Sequence, residues 1–393
     1  MIKTILSLPR TVWLIGLISF LNDAASEMVY PLLPLYLVTV LMAGPKALGI
    51  IEGIAEATSS IFKLVSGVIV DRTKKAKPWI VLGYTLAGLS RPLIAFANSW
   101  LWIIAIRFTD RIGKGLRSSP RDALLAETVP KNQRGLTYGL HRSMDNAGAV
   151  VGPLIAAFLL SQGVPMKDIF LWALLPAVIA IVLALSIWEP KREVHSDQYQ
   201  FKWSLKEMPA NFKRYLWVAG IFALGNSSDM FLLLRARELG VPQEQIPLLW
   251  AAISLITATL ATPLSAYSDR FGRKGFILIA WLAFAFFYIC MGLPSISVYQ
   301  VFALFAVYGV FKAATEGVEK ALVADLAPKG ATGTAFGWFN LINGLMLLPA
   351  SFIFGSLYES ASPFYAFLFS GGCALLAFFL MAFWVFKKRT NPI

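Results

Sequence analysis

The sequence predicts an all-α membrane protein in which twelve transmembrane helices form two six-helix bundles around a central cavity. Three observations support this fold class: an apolar composition, twelve apolar runs of membrane-spanning length, and an internal repeat. Of the 393 residues, 57% are hydrophobic and 15% are charged, and the mean hydropathy is +0.66. Soluble globular chains carry about 25% charged residues, so this composition is that of a membrane protein.

The apolar runs are long enough to cross a bilayer, which takes about 20 residues of helix. The predicted spans are 12–38, 47–70, 78–97, 100–127, 134–161, 167–188, 214–238, 245–268, 274–293, 297–327, 332–357 and 362–386. Several runs exceed the minimum, which allows a tilted helix or a helix that extends beyond the bilayer.

Alternate loops between the spans are basic and carry much of the net charge of +13. These loops are 71–77, 128–134, 189–213, 269–274 and 328–331. Because basic loops face the cytoplasm, we expect an inner-membrane protein with both termini cytoplasmic. Charge placed in this way argues for contact with the lipid bilayer and against binding to nucleic acid.

The longest polar segment divides the chain into three predicted regions. An N-terminal six-helix bundle covers residues 1–188, a cytoplasmic linker covers 189–213, and a C-terminal six-helix bundle covers 214–393. The linker carries apolar side chains at helical spacing, which predicts an amphipathic surface helix. These side chains are Trp203, Leu205, Met208 and Phe212.

The two predicted bundles are repeats of one another. Residues 71 and 269 begin the same Asp-Arg pair, and their offset of 198 residues also relates Lys114 to Lys312 and DALLAETVPK (122–131) to KALVADLAPK (320–329). One offset that holds across several spans predicts two bundles of like topology, related by an axis along the membrane normal.

The predicted fourth span carries a charged face that the rest of the fold has to accommodate. Its cations recur every three or four residues, so they share one side of the helix, with Asp110 next to them. They are Arg107, Arg111, Lys114, Arg117 and Arg121. An unpaired charge in the hydrocarbon costs about 2.5–3.5 kcal/mol or more. The face therefore has to meet a water-filled cavity and acidic partners.

Spans one and two supply those acidic partners. Asp23 and Glu27 lie four residues apart near the middle of span one, and Glu52 and Glu56 lie nearer the outer end of span two. A carboxyl group in such a cavity loads or releases a proton according to its hydration and its cationic neighbours. The alternatives are static ion pairs of span one with Arg91 or Arg111, and gate salt bridges made by Glu52 and Glu56.

Four motifs resemble signatures of the major facilitator superfamily, and the resemblance covers essentially the whole chain. Gly67-Val-Ile-Val-Asp71-Arg72, followed by Lys74 and Lys75, and its repeat at 265–274 are similar to the family's loop signature. Thr73 and Ser265 replace common glycines of that signature. Arg111-Ile-Gly-Lys114-Gly115 resembles the fourth-span signature, with Lys114 where glutamine is usual, and the resemblance implies a part for the arginine in proton transfer.

Gly148-Ala-Val-Val-Gly152-Pro153 resembles the fifth-span signature that the family associates with antiport. Ile155-Ala156-Ala157 stands where paired glycines usually follow. A packing role for Gly148 and Gly152 is the alternative interpretation.

From the charges and the resemblance we assign candidate roles. The expected proton-coupling residues are Asp23, Glu27, Asp145 and Arg111. The expected substrate-binding residues are Tyr30, Glu56, Arg91, Arg107, Arg111, Lys114, Arg142, Asn146, Asn226, Asp229, Trp250, Lys312, Glu316, Asn340 and Asn343. The expected gating residues are Asp71, Arg72, Arg117, Arg121, Asp122, Asp269 and Arg270. A simple Lys312–Glu316 pair four residues apart remains an alternative.

These assignments lead to the expectation of a monomeric, proton-coupled secondary transporter that works by alternating access. Export of a polar, anionic small solute in exchange for protons is favoured. The alternatives are uptake of a carboxylate-rich solute such as an organic acid or siderophore, a cation exporter that uses Asp23, Glu27, Glu52 and Glu56, and a channel or sensor with this fold. No nucleotide loop, hydrolytic triad or metal spacing is present in the sequence, so we expect no enzyme activity, no cofactor and no metal.

Overall fold

A computed structural model describes residues 8–73, 75–130, 134–189, 205, 208–328 and 332–386. All regular secondary structure within these ranges is helical. This confirms the predicted all-α class. The helices also begin and end within a few residues of the predicted spans, because the apolar runs that define a span are the residues that form its helix.

In the described part of the N-terminal half, residues 8–189, eight α-helices build six membrane-length segments. They are α1 (Arg10–Val29), α2 (Leu33–Thr39), α3 (Pro45–Thr73), α4 (Lys77–Ser90), α5 (Trp100–Thr128), α6 (Arg134–Ser161), α7 (Met166–Trp172) and α8 (Leu174–Leu185). A 3₁₀ segment, Arg91–Phe96, continues α4. α1 packs along α6, and α3 packs along α5.

The C-terminal half, residues 208–386, repeats this plan. Its helices are α9 (Ala210–Gly225), α10 (Met230–Glu238), α11 (Ile246–Phe271), α12 (Arg273–Gly292), α13 (Val298–Glu316), α14 (Val318–Leu326), α15 (Thr332–Ser360) and α16 (Pro363–Leu380). α13 begins with a capping box, in which Ser297 and Gln300 satisfy each other's backbone N–H groups. Proline occupies the first turn of α4, α11 and α16, where its missing N–H costs nothing.

Eleven helical segments among the described residues are long and apolar enough to cross a membrane. The segment that is too polar to be among them is α5, which forms the predicted fourth span. Its 29 residues reach about 44 Å at 1.5 Å per residue, so its length suffices. Its polarity comes from the charged face described above, which the fold has to place away from lipid.

The two halves meet along two pairs of helices, α3 with α15 and α6 with α11. They are closed at the end opposite residues 75–76 and 186–189, which we call the closed end. There the backbone N–H of Lys46 donates to Glu359 Oε2 across the halves (2.9 Å). Gly49 lies directly against the backbone carbonyl of Ser351 and leaves no room for a Cβ atom. Glycine is therefore what lets α3 and α15 approach so closely.

The predicted amphipathic helix of the linker lies mostly outside the described residues. Two of its four apolar positions, Met208 and Phe212, are buried at the start of the C-terminal half. Phe212 belongs to the first turn of α9, so this part of the predicted linker is already the beginning of the next span.

Candidate functional site

The first membrane segment of each half is broken into two helices. In the N-terminal half, Tyr30, Pro31 and Leu32 separate α1 from α2, and Pro31 has no N–H with which to continue the helix. In the C-terminal half, residues 226–229 separate α9 from α10. Here Ser228 Oγ accepts a hydrogen bond from the Met230 backbone N–H (3.3 Å), and such side-chain bonds compete with the helix. Paired breaks of this kind mark binding sites in transporters.

A cavity of about 570 Å³ lies between the halves at these two breaks. This volume is within the range of small-molecule sites. Its wall is strongly charged and comes from both halves. The carboxylates in the described wall are Asp23, Glu27, Glu52, Glu56, Asp145, Asp229 and Glu319, and the cations are Lys114, Arg142 and Lys312.

Many of the residues expected at a proton or substrate site are in this wall. They are Asp23, Glu27, Tyr30, Glu56, Lys114, Arg142, Asp145, Asn146, Asn226, Asp229, Trp250 and Lys312. Five others, all within the described ranges, do not line it: Arg91, Arg107, Arg111, Asn340 and Asn343. Asn340 is exposed on α15. The side chain of Glu316 is outside the described part of the structure.

Arg91, Arg107 and Arg111, which do not line the cavity, belong to a buried ionic network within the N-terminal half. Arg107 Nε donates to Glu52 Oε1 (3.0 Å), and Arg107 Nη1 lies 3.4 Å from Asp110 Oδ2. Arg91 Nε donates to the other oxygen of Asp110 (2.9 Å), and Arg111 Nη2 lies 2.9 Å from Glu56 Oε1. The sequence suggested pairs of Arg91 or Arg111 with Asp23 or Glu27, and that alternative is wrong: the arginines pair with Asp110 and Glu56.

The cations of α5 are therefore divided among four surroundings. Arg107 and Arg111 belong to the ionic network, and Lys114 faces the cavity. Arg117 is buried with its guanidinium 4.8 Å from the centre of the Tyr84 ring, and Arg121 donates to Asp122 Oδ1 (3.1 Å). The partner of each cation depends on its position along α5, because the residues that pack against this helix differ from one end to the other.

The gating residues are covered only in part. Arg121 Nη1 also donates to Ser19 Oγ on α1 (3.2 Å), and the Asp122 carbonyl accepts from the Tyr138 hydroxyl (2.8 Å). These contacts connect the C-terminal end of α5 to α1 and α6. The side chains of the expected partners, Asp71, Arg72, Asp269 and Arg270, are outside the described part of the structure.

Four carboxylates of the wall have no lysine or arginine in ion-pair contact among the described residues. Glu27 accepts from the indole N–H of Trp250 (2.6 Å), and Glu319 accepts from that of Trp281 (3.2 Å). Asp23 accepts from the Asn22 amide (2.9 Å), and Asp145 Oδ2 lies 3.6 Å from His141 Nδ1. The partners of these four carboxylates are neutral donors, or a histidine that is charged only when protonated. Protonation of such a carboxylate therefore breaks no ion pair with a lysine or arginine of the described residues.

The C-terminal half contributes a compact group around Asp229. Lys312 Nζ donates to Asp229 Oδ2 (2.7 Å), and the Tyr308 hydroxyl donates to the other carboxylate oxygen. The Lys312 ammonium also lies 5.0 Å from the Trp250 ring centre. The sequence offered Glu316 as the partner of Lys312, and it gave Tyr308 no role. The i, i+4 spacing of Tyr308 and Lys312 was the signal that both act at one point.

Other wall residues were given no role from the sequence, because isolated small hydroxyl groups and a single carboxylate on a span give no periodic signal. They are Ser227, Ser228, Ser254, Thr257, Thr315 and Glu319.

The glycine pair of the fifth-span motif brings α6 onto α1. Gly148 faces the Phe20 carbonyl and would place a Cβ 3.1 Å from Asp23 Cβ, and Gly152 faces the Ala24 carbonyl. This close approach supports a packing role for the motif. It also sets Asp145, one turn before Gly148, on the helix that faces Asp23.

A helical membrane fold whose two halves enclose a polar chamber is the architecture of a solute transporter. The chain belongs to the Major Facilitator Superfamily, whose family model matches residues 15–234 and 215–393. It is 33% identical to an uncharacterised MFS-type transporter of Methanocaldococcus jannaschii over 96% of this chain and 95% of that one. It is 27% identical to the multidrug resistance protein MdtH of Proteus mirabilis, over 80% of this chain and 78% of that one.

Solved structures show the same fold. A mutant of the nucleoside transporter NupG superimposes with a TM-score of 0.81 at 13% identity, over 96% of this chain and 100% of that one. A POT family transporter in complex with 5-aminolevulinic acid gives 0.80 at 14% identity, over 95% and 96% of the two chains. At these identities the likeness establishes the fold and not the solute.

Proposed function

We propose that the protein is a proton-coupled secondary transporter that exports a small polar organic solute in exchange for protons. The observation that carries this proposal is the set of cavity carboxylates that have no cationic partner among the described residues, above all Asp23, Glu27 and Asp145. In this proposal the protein lies in the inner membrane, with the chain termini and the end opposite the closed end facing the cytoplasm, as the basic loops favour.

Proton loading follows from where these carboxylates lie. Glu27 is within the cavity wall and half-buried, so it reaches water from the cavity and is shielded from bulk solvent. Asp23 and Asp145 stand on facing helices that the glycine contacts hold together. Asp23 and Asp145 therefore place two carboxylates on neighbouring helices in the wall of one cavity.

A coupling device is present in the hydrogen bonds that cross the cavity. The Trp250 indole of the C-terminal half donates to Glu27 of the N-terminal half, and the Ser228 hydroxyl lies 3.4 Å from Glu52 Oε2. A hydrogen bond to an ionised carboxylate is about twice as strong as one to a neutral acceptor. Protonation of Glu27 therefore weakens a bond between the halves, and this favours the rocking motion that exposes the site to the other side.

The charge of the wall bears on the solute. The expected anionic solute depended on the basic face of α5, and two members of that face, Arg107 and Arg111, are already neutralised by Glu52 and Glu56. When Glu52 and Glu56 are left out of the balance together with these two arginines, five carboxylates against three cations line the described part of the cavity. This balance favours a solute with a cationic group, as in the cation-exporter alternative. The name of the Proteus mirabilis relative, a multidrug resistance protein, supports export as the direction.

An anionic solute remains the second candidate because Lys114 and Arg142 face the same cavity from the N-terminal half. Proton-coupled uptake would use the same groups in the opposite direction. The gating roles of Asp71, Arg72, Asp269 and Arg270 remain predictions.

Transport in proteoliposomes with an imposed pH gradient tests the proposal. We expect a labelled primary alkylammonium to move against its gradient, and a labelled dicarboxylate of similar size to remain unmoved. The Glu27→Gln variant keeps an acceptor for Trp250 and removes the ionisable group. If one coupled proton is lost, the steady-state concentration ratio should fall about tenfold for each pH unit imposed.

Asp168→Asn is the matched control for Glu27→Gln, because Asp168 is an exposed carboxylate at the closed end. Exchange of labelled for unlabelled solute without a gradient should persist in Glu27→Gln. Full pH-driven accumulation by Glu27→Gln and Asp23→Asn alike would show that these carboxylates do not carry the protons.

A further inference from the structure

The ammonium group of Lys312 is enclosed by the groups that proteins use to bind an organic ammonium ion. Its Nζ atom lies 2.7 Å from Asp229 Oδ2, 5.0 Å from the centre of the Trp250 ring and 5.7 Å from the centre of the Tyr308 ring. A carboxylate flanked by aromatic faces is the usual arrangement for choline-like and methyl-lysine ligands. We call Asp229, Tyr308 and Trp250 the ammonium cage.

The cage opens on the transport cavity. The Lys312 side chain is 33% exposed and that of Asp229 is 16% exposed, and all the cage residues are part of the cavity wall. A structural ion pair sealed in a helix interface would be dry, as Arg91 and Asp110 are, with side chains 5% and 1% exposed. The Lys312 ammonium is therefore within reach of a competing cation in the cavity.

The cage does not depend on Lys312 for its shape. The Tyr308 hydroxyl donates to the second oxygen of Asp229. The indole of Trp250 donates to Glu27 and packs against the Tyr30 ring, with ring centres 4.9 Å apart and an interplanar angle of 31°. Trp250 and Tyr308 are buried, so both rings are fixed by packing. When the lysine swings away, the carboxylate and the two rings keep their places.

We propose that the ammonium cage is the binding site for a cationic group of the solute, and that the solute enters by displacing the Lys312 ammonium. This inference rests on the proposed transport function and names the solute class, an organic ammonium. Lys312 is then a tethered competitor: it neutralises Asp229 when the cavity is empty, and it moves toward the other carboxylates of the cavity wall when the solute is bound.

Trp250 connects this site to the proposed proton site. Its ring faces the cage, and its N–H is bound to Glu27 of the other half. A solute cation that packs on the ring and a proton that binds Glu27 therefore act on the same side chain. This gives the differential contact that coupling between the two ligands requires.

Removal of the competitor tests the inference. Lys312→Met replaces the ammonium with a side chain of similar length. If the lysine occupies the cage about nine-tenths of the time, the empty cage is competent for about one-tenth, and the variant should bind a hexylammonium probe about tenfold more tightly. Binding is measured by calorimetry on the purified protein in lipid nanodiscs, in which both faces of the protein are in the same buffer and no pH gradient exists.

Lys114→Met is the matched control, because Lys114 is the repeat equivalent of Lys312 and lines the same cavity outside the cage. It removes the same charge, so any general gain in attraction for cations appears in both variants. Only Lys312→Met should show the additional tightening. Lys312→Arg keeps a cation in the cage and should bind the probe as weakly as the wild type does.

Two further measurements make the result specific. Adding Asp229→Asn to Lys312→Met should abolish the gain, and hexanol, the neutral analogue of the probe, should bind all variants alike. Equal affinities of Lys312→Met and Lys114→Met, or weaker probe binding in Lys312→Met with an unchanged thermal midpoint, would overturn the inference. Tighter binding of hexanoate to the wild type than to Lys312→Met would instead identify the lysine as an anion site.

These outcomes are separate from those of the transport proposal, because the binding measurement uses no gradient. A tightened probe affinity without proton-driven movement would leave the cage in place and remove the antiport mechanism. Proton-driven movement of the probe without any effect of Lys312→Met would support the antiport mechanism and rule out the ammonium cage as the binding site.

Discussion

Asp110 is the carboxylate on which the buried network of the N-terminal half depends. Its side chain is 1% exposed and contacts two arginines, Arg91 at 2.9 Å and Arg107 at 3.4 Å. Asp110→Asn leaves the shape nearly unchanged and removes the negative charge between the two guanidinium groups. Breaking a buried ion pair from one side costs about 3–5 kcal/mol, because the remaining charge stays buried without compensation.

That cost translates into a shift of the thermal unfolding midpoint. With an entropy of unfolding of about 2.1 cal/mol/K per residue, a chain of this length loses roughly 4–6 °C for such a change. The assay is a thermal unfolding scan of the purified protein in a fixed detergent. Asp168→Asn, an exposed carboxylate, should shift the midpoint by no more than about 1 °C.

A double variant separates the charge effect from a loss of packing. Arg91→Gln combined with Asp110→Asn removes one of the uncompensated cations, so it should recover part of the lost stability. If Asp110→Asn unfolds within a degree of the wild type, the network is hydrated and its ion pairs do not hold the half together. The same result would remove the reason for excluding Arg91 and Arg107 from the solute site.

Two further predictions concern the balance between the conformations. Trp250→Phe keeps an aromatic ring at the cage and removes the N–H that Glu27 accepts, a bond to a charged group worth about 1.5–3 kcal/mol. The ratio of closed to open conformers at the closed end should fall about tenfold or more, measured by distances between spin labels on the two halves. An unchanged distance distribution would show that the Trp250–Glu27 hydrogen bond does not hold the halves together. Gly49→Val introduces a side chain against the Ser351 carbonyl and should open the same end. Gly139→Val, where a Cβ meets nothing within 4 Å, is its control, and equal behaviour of the two would show that the contact at Gly49 is not the constraint.

Local information in the sequence was enough for the helices and for the class of the fold. Apolar runs, prolines in first turns and the 198-residue offset are properties of neighbouring residues or of the chain compared with itself. The charged face of α5 likewise required a polar chamber, because a row of cations has no other stable place in a membrane. The structure contains that chamber, and Lys114 and Glu27 line it.

Partners across helices were not predictable in the same way. Spacing along a helix tells which residues share a face and leaves open which helix that face meets. For this reason Arg107 and Arg111 were expected in the solute-binding site, and the structure shows them paired with Glu52 and Glu56 instead. For the same reason Lys312, whose near neighbour in sequence is Glu316, pairs with Asp229 on a different helix.

The sequence by itself determined that this protein is a helical bundle with ionisable groups inside a membrane, because hydropathy and periodicity act over a few turns of one helix. Only the tertiary structure decided which of those charges form ion pairs with one another and which face the cavity. That decision depends on distances between helices: Glu52 accepts a hydrogen bond from Arg107 of another helix (3.0 Å), whereas Glu27 accepts one from the neutral indole of Trp250 (2.6 Å).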